Sequence, residues 1–362
     1  MEERKIRVAI THGDTNGIGY EVILKAFEDP AMLELCTPII YGSPKVAAYH
    51  RNALNIEGNF TIISKASEAN DNKLNMLTVF DEEIKVELGT PSEESGTAAL
   101  KAIDRALDDF RQGFIDVLVT APVDNNSTFR FSGQGRYLED HLDVSGQALP
   151  MLVSERLRIA FATCNMPIKQ VTELLTTNLI EEKATALHKS LQRDFCITNP
   201  RIAVLALNPK TGENGWAGSE EQDIITPAIT TLYEKGIQAF GPYASDDFFG
   251  NGLYEAFDGV IALHDNQGTT PFRSLTCNEG VEYTAGLPLV RTAPAHTARY
   301  DIAGKGLADE NMLRQAVYTA IDIFRHRAAY DEGHANPLKK LYKERRDDSE
   351  KVRFAVSKKT EK

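Results

Sequence analysis

The sequence predicts an α/β protein with a largely parallel sheet, and three observations carry that prediction. Five short runs are apolar throughout instead of alternating: Val8 to Ile10, Val117 to Val119, Ile159 to Ala162, Ile202 to Leu207 and Val260 to Leu263. Strands covered by helices on both faces read this way. Segments of helical period lie between these runs, and strands that alternate with helices form parallel sheets. The length, 362 residues of which 42% are hydrophobic, suffices for one large or two ordinary domains.

The elements follow in chain order. Val8 to Ile10 leads into THGDTNGIGYEVILKAF, a strand, a Gly-rich turn and a helix. Gly13, Gly17 and Gly19 have the spacing G-x-x-x-G-x-G, which is neither the dinucleotide fingerprint nor a Walker A loop. Backbone N–H groups at such a helix start can hold an anion; a plain strand-to-helix turn accounts for the same glycines. Ala98 to Arg111 puts Ala99, Ile103, Ala106, Leu107 and Phe110 on one face and stops at Gly113, a natural left-handed cap. Val117 to Val119 runs into Thr120-Ala121-Pro122. Ligands in open α/β sheets sit at the carboxyl ends of strands, so Thr120, Asp124 and Asn125 are cleft candidates, with turn capping as the competing account. Leu179 to Phe195 is a second helix.

Ile202 to Leu207 runs into a long polar loop with Asn208, Lys210, Glu213, Asn214 and the single tryptophan, Trp216. Ser219 reads as the cap of a helix, Glu220 to Lys235, with Glu220 and Glu221 in its first turn and Gly236 at its close. A loop this long at a strand's carboxyl end points to function. Val260 to Leu263 ends in His264 and Asp265, a pair that suits a metal or proton-transfer site. Alternation along a regular strand puts those two side chains on opposite faces. The last segment, GLPLVRTAPAHTARYDIAGKG, holds Arg291, His296, Arg299 and a Gly304-Lys305-Gly306 turn. Arginine at a strand end suits a carboxylate or phosphate, or a surface ion pair.

A net charge of −12 argues against nucleic acid or an anionic membrane as partner. No apolar run approaches membrane-spanning length, and the start MEERKIRVAITHGD lacks a signal-peptide core. Four scattered cysteines without a C-x-x-C pair read as reduced thiols of a cytoplasmic protein. Lys339 to Lys362 is dense in both charge signs and reads as a solvated tail. The eight histidines form no H-E-x-x-H or H-x-H, and no G-x-S-x-G supports a serine nucleophile. The residues alone define an enzyme-like α/β scaffold with a cleft for an anionic ligand, its chemistry open.

In order, THGDTNGIGYE, SGTAALKAI, LVTAPV, LNPKTGENG…EEQDIITPAI, GPYASDDFF, NQGTTPFR, GLPLVRT and DIAGKGLAD resemble the PdxA family, the 4-hydroxythreonine-4-phosphate dehydrogenases of vitamin B6 synthesis. The likeness covers roughly Ile6 to Ala329. It implies a two-domain α/β/α fold with mostly parallel sheets and an interdomain cleft. Residues 1–128 with 305–345 would form one domain, 129–304 a second that carries the dimer interface, and 346–362 a charged tail. It implies a homodimer whose site the partner completes, and NAD oxidation of a phosphorylated hydroxy acid followed by loss of CO2. A divalent metal (Zn, Mg or Co), held by three histidines, would polarise the substrate.

Carried over residue by residue, the match is uneven. The three metal-histidine positions fall on Asn165, Lys210 and Asp265, with His264 one position early. The family's substrate-binding G-H-T-E falls on Gly133, Gln134, Gly135 and Arg136, and its T-A-P-I-N-K lysine on Asn125. A phosphate-binding lysine becomes Arg273, a substrate-binding asparagine becomes Glu282, and Arg291 is kept. Of D-H-G-T-A only His296 remains; with Asp246 it makes the expected cofactor contacts. The catalytic candidates are therefore Lys210, Asp265 and His264, and the substrate-binding candidates Gln134, Gly135, Arg273, Glu282 and Arg291.

Scaffold glycines, prolines and apolar strands match while polar site residues do not. Zinc and related ions want about three protein ligands, with imidazole typical, and an ammonium among those positions repels a divalent ion. The expectation is a PdxA-fold protein with lost or altered metal-dependent catalysis. In the vacated place, Lys210 and Asp265 would pair within about 4 Å, Asn165 nearby. The alternative is an active dehydrogenase on a related phosphorylated hydroxy acid, metal-independent through Lys210 or Arg273, or with relocated ligands.

Overall fold

The computed structural model describes residues 4–80, 84–124, 133–144, 146–210, 216, 218–277 and 279–336. Asn125, Glu213, Asn214 and the charged tail lie outside the described residues. Twelve strands make one continuous sheet. In chain order they are β1 (Arg7–Thr11), β2 (Thr37–Gly42), β3 (Thr61–Ile63), β4 (Asn75–Thr78), β5 (Val117–Thr120), β6 (Leu149–Val153), β7 (Arg158–Phe161), β8 (Arg201–Leu205), β9 (Gln238–Tyr243), β10 (Gly259–Ala262), β11 (Val281–Ala285) and β12 (Val290–Pro294). Their spatial order is β3-β4-β2-β1-β5-β12-β11-β6-β7-β10-β8-β9.

The described helices are α1 (Gly19–Ala26), α2 (Ala31–Leu35), α3 (Pro44–Leu54), α4 (Glu93–Arg111), α5 (Gly133–His141), α6 (Ile168–Leu174), α7 (Thr177–Arg193), α8 (Thr226–Glu234), α9 (Ser245–Gly250), α10 (Asp265–Thr276) and α11 (Asn311–Ala335). They bury both faces of the sheet, which is why the five expected strands are apolar throughout: Val8, Ala9, Ile10, Val117, Leu118 and Val119 have no exposed surface.

All five expected strands form, and each pairs in parallel with another of them or with a neighbour. The antiparallel strands at the centre were not foreseen. β11 pairs antiparallel with both β12 and β6, and β6 antiparallel with β7. Strand direction therefore reverses across the middle. The carboxyl ends of β1, β5 and β12 point to one edge of the sheet, and those of β7, β10 and β8 to the other.

A buried polar network locks this centre. Arg327 of α11 donates from Nε to Asp194 Oδ1 at 2.7 Å and from Nη2 to the Tyr283 hydroxyl at 2.8 Å. Tyr283 and Ser190 each donate to Asp194 Oδ2 at 2.6 Å. The network joins α11, α7 and β11. Among fully satisfied buried charges such a pair is costly to break from one side, about 3–5 kcal/mol.

Three local expectations change. The strand expected to reach Leu263 ends at Ala262, because Gln267 Oε1 takes the Leu263 N–H at 2.7 Å and turns the chain into α10. His264 is the residue before that helix and Asp265 its first residue, so strand alternation does not govern them. The helix expected over Glu220 to Lys235 opens with one π-type turn, Glu221–Ile225, before α8. Pro227 has no N–H to donate, and a wide turn ahead of it accommodates the loss. Ser219 caps with its backbone carbonyl, which accepts from Gln222 and Asp223, and not with its side chain.

The Gly-rich turn after β1 is a packing device. A Cβ on Gly19 would stand 2.1 Å from the His12 carbonyl oxygen, and Gly13, at φ +73°, lies against the Pro122 carbonyl. His12 closes β1, fully buried, its ring stacked on Tyr20 at 5.2 Å and edge-on to Phe80. Neither ring nitrogen has a hydrogen-bond partner among the described residues. Burial drives its pKa from 6.5 down to about 4, against the pull of the Ala98 and Gly13 backbone and with a small push from His50.

Between pH 6.5 and 4 the unfolded chain binds a proton that the folded chain refuses, so stability falls as pH falls through that window, by about 3 kcal/mol in full. His12→Phe should therefore flatten the pH dependence of urea unfolding between pH 7 and 4.5 by about 2–3 kcal/mol. An unchanged slope would show that His12 is not the group responsible.

Candidate functional site

The expected site residues fall into three groups. The first surrounds Arg291, 4% exposed on β12. Its Nε and Nη2 donate to Thr120 Oγ1 at 3.1 and 2.7 Å, and Nη1 to Thr284 Oγ1 at 3.3 Å. Nη2 also donates to Gln134 Oε1. Gln134 reaches in from α5, and its Nε2 is a buried donor with no partner among the described residues. Gly135, next on α5, faces open space. Burial lowers the Arg291 pKa and Glu282 opposes that shift; an arginine remains charged all the same. No carboxylate comes within 4 Å of it among the described residues. Its hydrogen bonds go to hydroxyl and amide groups, and Glu282 supplies the nearby negative charge from beyond ion-pair distance.

Glu282 and Arg273 lie near this cluster. Glu282 stands on β11 opposite Ala293, two residues from Thr284 and so on the same face. Burial raises its pKa, while Arg291 and Arg273 pull it down. Arg273, exposed near the end of α10, donates from Nη2 to the Ala295 carbonyl at 3.3 Å.

The second group lies where β7 and β10 end. Asn165 has φ +56° and its N–H donates to Asp265 Oδ2 at 2.8 Å. Burial raises the Asp265 pKa against the Asn165 N–H, His264 and the start of its own helix. Burial likewise lowers the His264 pKa, with Asp265 opposing. Cys164, which no motif had marked, is pushed up to about 11, by burial first and then by Asp265; Lys183 opposes and Glu282 adds a smaller push. It is a neutral thiol at physiological pH.

The third group is Lys210 with Asp246, Nζ to Oδ2 3.8 Å, both more than half exposed. The expected Lys210–Asp265 pair does not form. β10 lies between β7 and β8, and Asp265 leans to the β7 side where Asn165 offers an N–H. Lys210 leaves β8 toward β9 and the first turn of α9, where Asp246 waits. Upstream in the same loop, Asn208 is tied by its N–H and Nδ2 to Glu220 and Glu221 at 2.8–2.9 Å.

His296 and Asp246 do not come together either. His296 lines a cavity of about 250 Å3 with Ile18, Arg299, Ile302 and Asp309. It follows β12, while Asp246 follows β9, six strand steps away, roughly 25–30 Å at the usual strand spacing.

The donor set does not suit a divalent metal. Asn165 directs an N–H at Asp265, Lys210 contributes an ammonium, and the Asp265 oxygen is already engaged. Among the described residues no three His, Cys, Asp or Glu side chains are placed to share an ion. The missed contributors, Thr284 and Cys164, have no motif of their own. Thr284 becomes legible only through the β11–β12 register.

A large, mostly parallel α/β sheet with a buried arginine held by hydroxyl and amide groups is the frame of an α/β protein of the kind that binds small molecules. The family model described as "Pyridoxal phosphate biosynthetic protein PdxA" matches residues 34–320, and the chain belongs to the PdxA family. It is 52% identical over 358 residues to the 4-hydroxythreonine-4-phosphate dehydrogenase of Bacteroides thetaiotaomicron, covering 98% of each chain. The enzyme of that name from Sulfurihydrogenibium is 32% identical over 89% of this chain and 99% of its own. The crystal structure of the Klebsiella pneumoniae 4-hydroxythreonine-4-phosphate dehydrogenase superposes with a TM-score of 0.75 at 27% identity, over 88% of this chain and 99% of that one. No described helix is long and apolar enough to cross a membrane.

Thr120→Val removes the hydroxyl that takes two Arg291 N–H groups and should cost about 1–3 kcal/mol in urea unfolding, with Thr120→Ser near wild type. Equal stability of all three proteins would show that the hydroxyl does not carry the buried charge.

Proposed function

We propose that this chain binds a phosphorylated hydroxy acid in a PdxA-type cleft, with the family's metal-dependent oxidation lost or altered. One observation carries the reading. Where the resemblance places three metal-holding side chains, Asp265 accepts the Asn165 N–H and Lys210 pairs with Asp246. A metal's Lewis-acid role is worth several kcal/mol of transition-state stabilisation, and nothing in this donor set replaces it at that spot. The buried Arg291, held by Thr120, Thr284 and Gln134, supports retained binding of an anionic group. NAD, on this reading, would approach from the His296 cavity.

The placement of the groups supports a homodimer. Thr120 ends β5 and Lys210 follows β8, six strand steps apart, roughly 25–30 Å. One small ligand spans that distance only if a second copy brings the groups together. The two-domain division at 128/129 and 304/305 and a cytoplasmic location go with this reading.

A second reading is a metal-independent dehydrogenase on a related phosphorylated hydroxy acid. It is favoured by the weak, exposed Lys210–Asp246 pair, which leaves the ammonium open to a ligand.

Metal analysis of the purified protein, combined with NAD reduction on 4-hydroxythreonine 4-phosphate, tests both. The first reading expects substoichiometric divalent metal and no chelator-sensitive turnover, with the phosphorylated compound still bound. Metal-free turnover abolished by Lys210→Ala would favour the second. Stoichiometric zinc with chelator-sensitive turnover would overturn both.

A further inference from the structure

A separate cavity of about 360 Å3 lies on the face of the sheet that α11 covers. It is walled by the β6–β7 turn, the start of β11 and the middle of α11. The Arg291 cluster is on the opposite face. Val281, in the cavity wall, alternates with Glu282 along β11. Thr292, whose hydroxyl donates to the Ala316 carbonyl of α11 at 2.8 Å, alternates with Arg291 along β12.

A tight turn positions the cation of this cavity. The Ser154 N–H donates to the Leu157 carbonyl at 2.9 Å, and the Ser154 hydroxyl accepts the Leu157 N–H at 3.1 Å. Arg158 follows directly and lines the cavity half-buried. Its guanidinium lies over the Phe195 ring, 4.9 Å from the centroid. Its Nε is shut off from solvent and has no hydrogen-bond partner among the described residues. No carboxylate comes within ion-pair distance of it there. Asp258 acts on it from farther away, and its Oδ2 already accepts the Arg201 N–H at 2.7 Å. A partly desolvated guanidinium beside open space is matched by an oxyanion from outside, which its planar fork grips in two places.

The other lining groups narrow the class of that oxyanion. Val153, Val281, Ile323 and Phe195 give an apolar wall, while Glu155, Glu279 and Asp322 line the cavity from exposed positions. Three carboxylates repel a phosphate or a dianion and attract an ammonium. They form no trio placed to share a metal ion. The volume lies toward the lower end of small-molecule sites, which run from about 300 to 1,000 Å3.

We propose that this cavity binds a free α-amino acid with an uncharged side chain. The carboxylate meets Arg158, the ammonium meets the acidic rim, and the side chain meets the apolar wall. The site is independent of the Arg291 cluster and of the function read from it. Phe195 adjoins Asp194, and His326 of the cavity wall donates from Nδ1 to the Asp194 carbonyl at 2.8 Å. An occupant is therefore linked to the Asp194–Arg327 network and should stabilise the fold.

The test is thermal melting and calorimetric titration of the full-length protein with each standard L-amino acid in turn, and with inorganic phosphate. At least one amino acid with an uncharged side chain should bind and raise the melting temperature; aspartate, glutamate and phosphate should not. One charge-assisted contact corresponds to about tenfold or more in affinity. The amine that lacks the best binder's carboxylate should therefore bind at least about tenfold more weakly. Arg158→Gln should cause the same loss, and Arg158→Lys, which keeps the charge without the fork, a smaller one. Thr319→Phe fills the cavity, leaves the guanidinium in place and should abolish binding. Melting of each unliganded variant confirms that it is folded. Failure of every amino acid to bind, unchanged affinity in folded Arg158→Gln or Thr319→Phe, or tighter binding of phosphate than of any amino acid overturns the assignment. So does a loss of binding caused by Thr120→Val alone, which would place the ligand at the Arg291 cluster.

Discussion

The buried pair of Asp194 and Arg327 holds the centre of the sheet, where strand direction reverses. Both side chains are nearly inaccessible to solvent, and Tyr283 and Ser190 fill the remaining hydrogen-bonding positions of the carboxylate. Buried ions are tolerated only when they are satisfied in this way. The result fixes α11 against α7 and against β11, the strand with antiparallel partners on both sides. With that reversal in place, the loops after β1 and β5 leave one edge of the sheet and those after β7, β8 and β10 leave the other. The distribution of the polar groups follows from it. One polar cluster gathers around Arg291 near the middle, and Lys210 and Asp246 sit far along the sheet.

Electrostatics then separates two kinds of change. Around Arg291 the polar frame is complete: a buried cation, hydroxyl and amide partners, and a spare donor. Around Asp265 the groups satisfy one another, and Cys164 is kept neutral by burial and by the adjacent carboxylate. The first arrangement leaves one amide donor unpaired among the described residues, and the second is closed by its own hydrogen bonds. Glu282 stands between them, felt electrostatically by Arg291 and Arg273 on one side and by Cys164 on the other.

Much of the scaffold was legible because its rules are local. Apolar runs, helical periods and the glycines after α4 and α8 are read within a few residues, and they led to the right strands and helices. Gly113 and Gly236 do adopt the left-handed conformation expected of helix caps. The errors arose where a distant or downstream group intervened. Gln267 ended β10 early, and Pro227 widened the start of its helix. His264 and Asp265 looked like alternate positions of one strand, yet they begin a helix. The ion pair of Lys210 with Asp265 failed because two neighbouring strands aim their loops apart, and Asn165 reached the carboxylate first.

By itself, the sequence determined the α/β class, the parallel strands and the family, because composition, period and motif are properties of contiguous residues. Only the tertiary structure decided the central antiparallel strands, the partners of Lys210 and Asp265, and the face shared by Arg291, Thr284 and Glu282. Those depend on strand register and on competition among groups far apart in the chain. Such competition is settled by distance and burial, which appear only once the chain is folded.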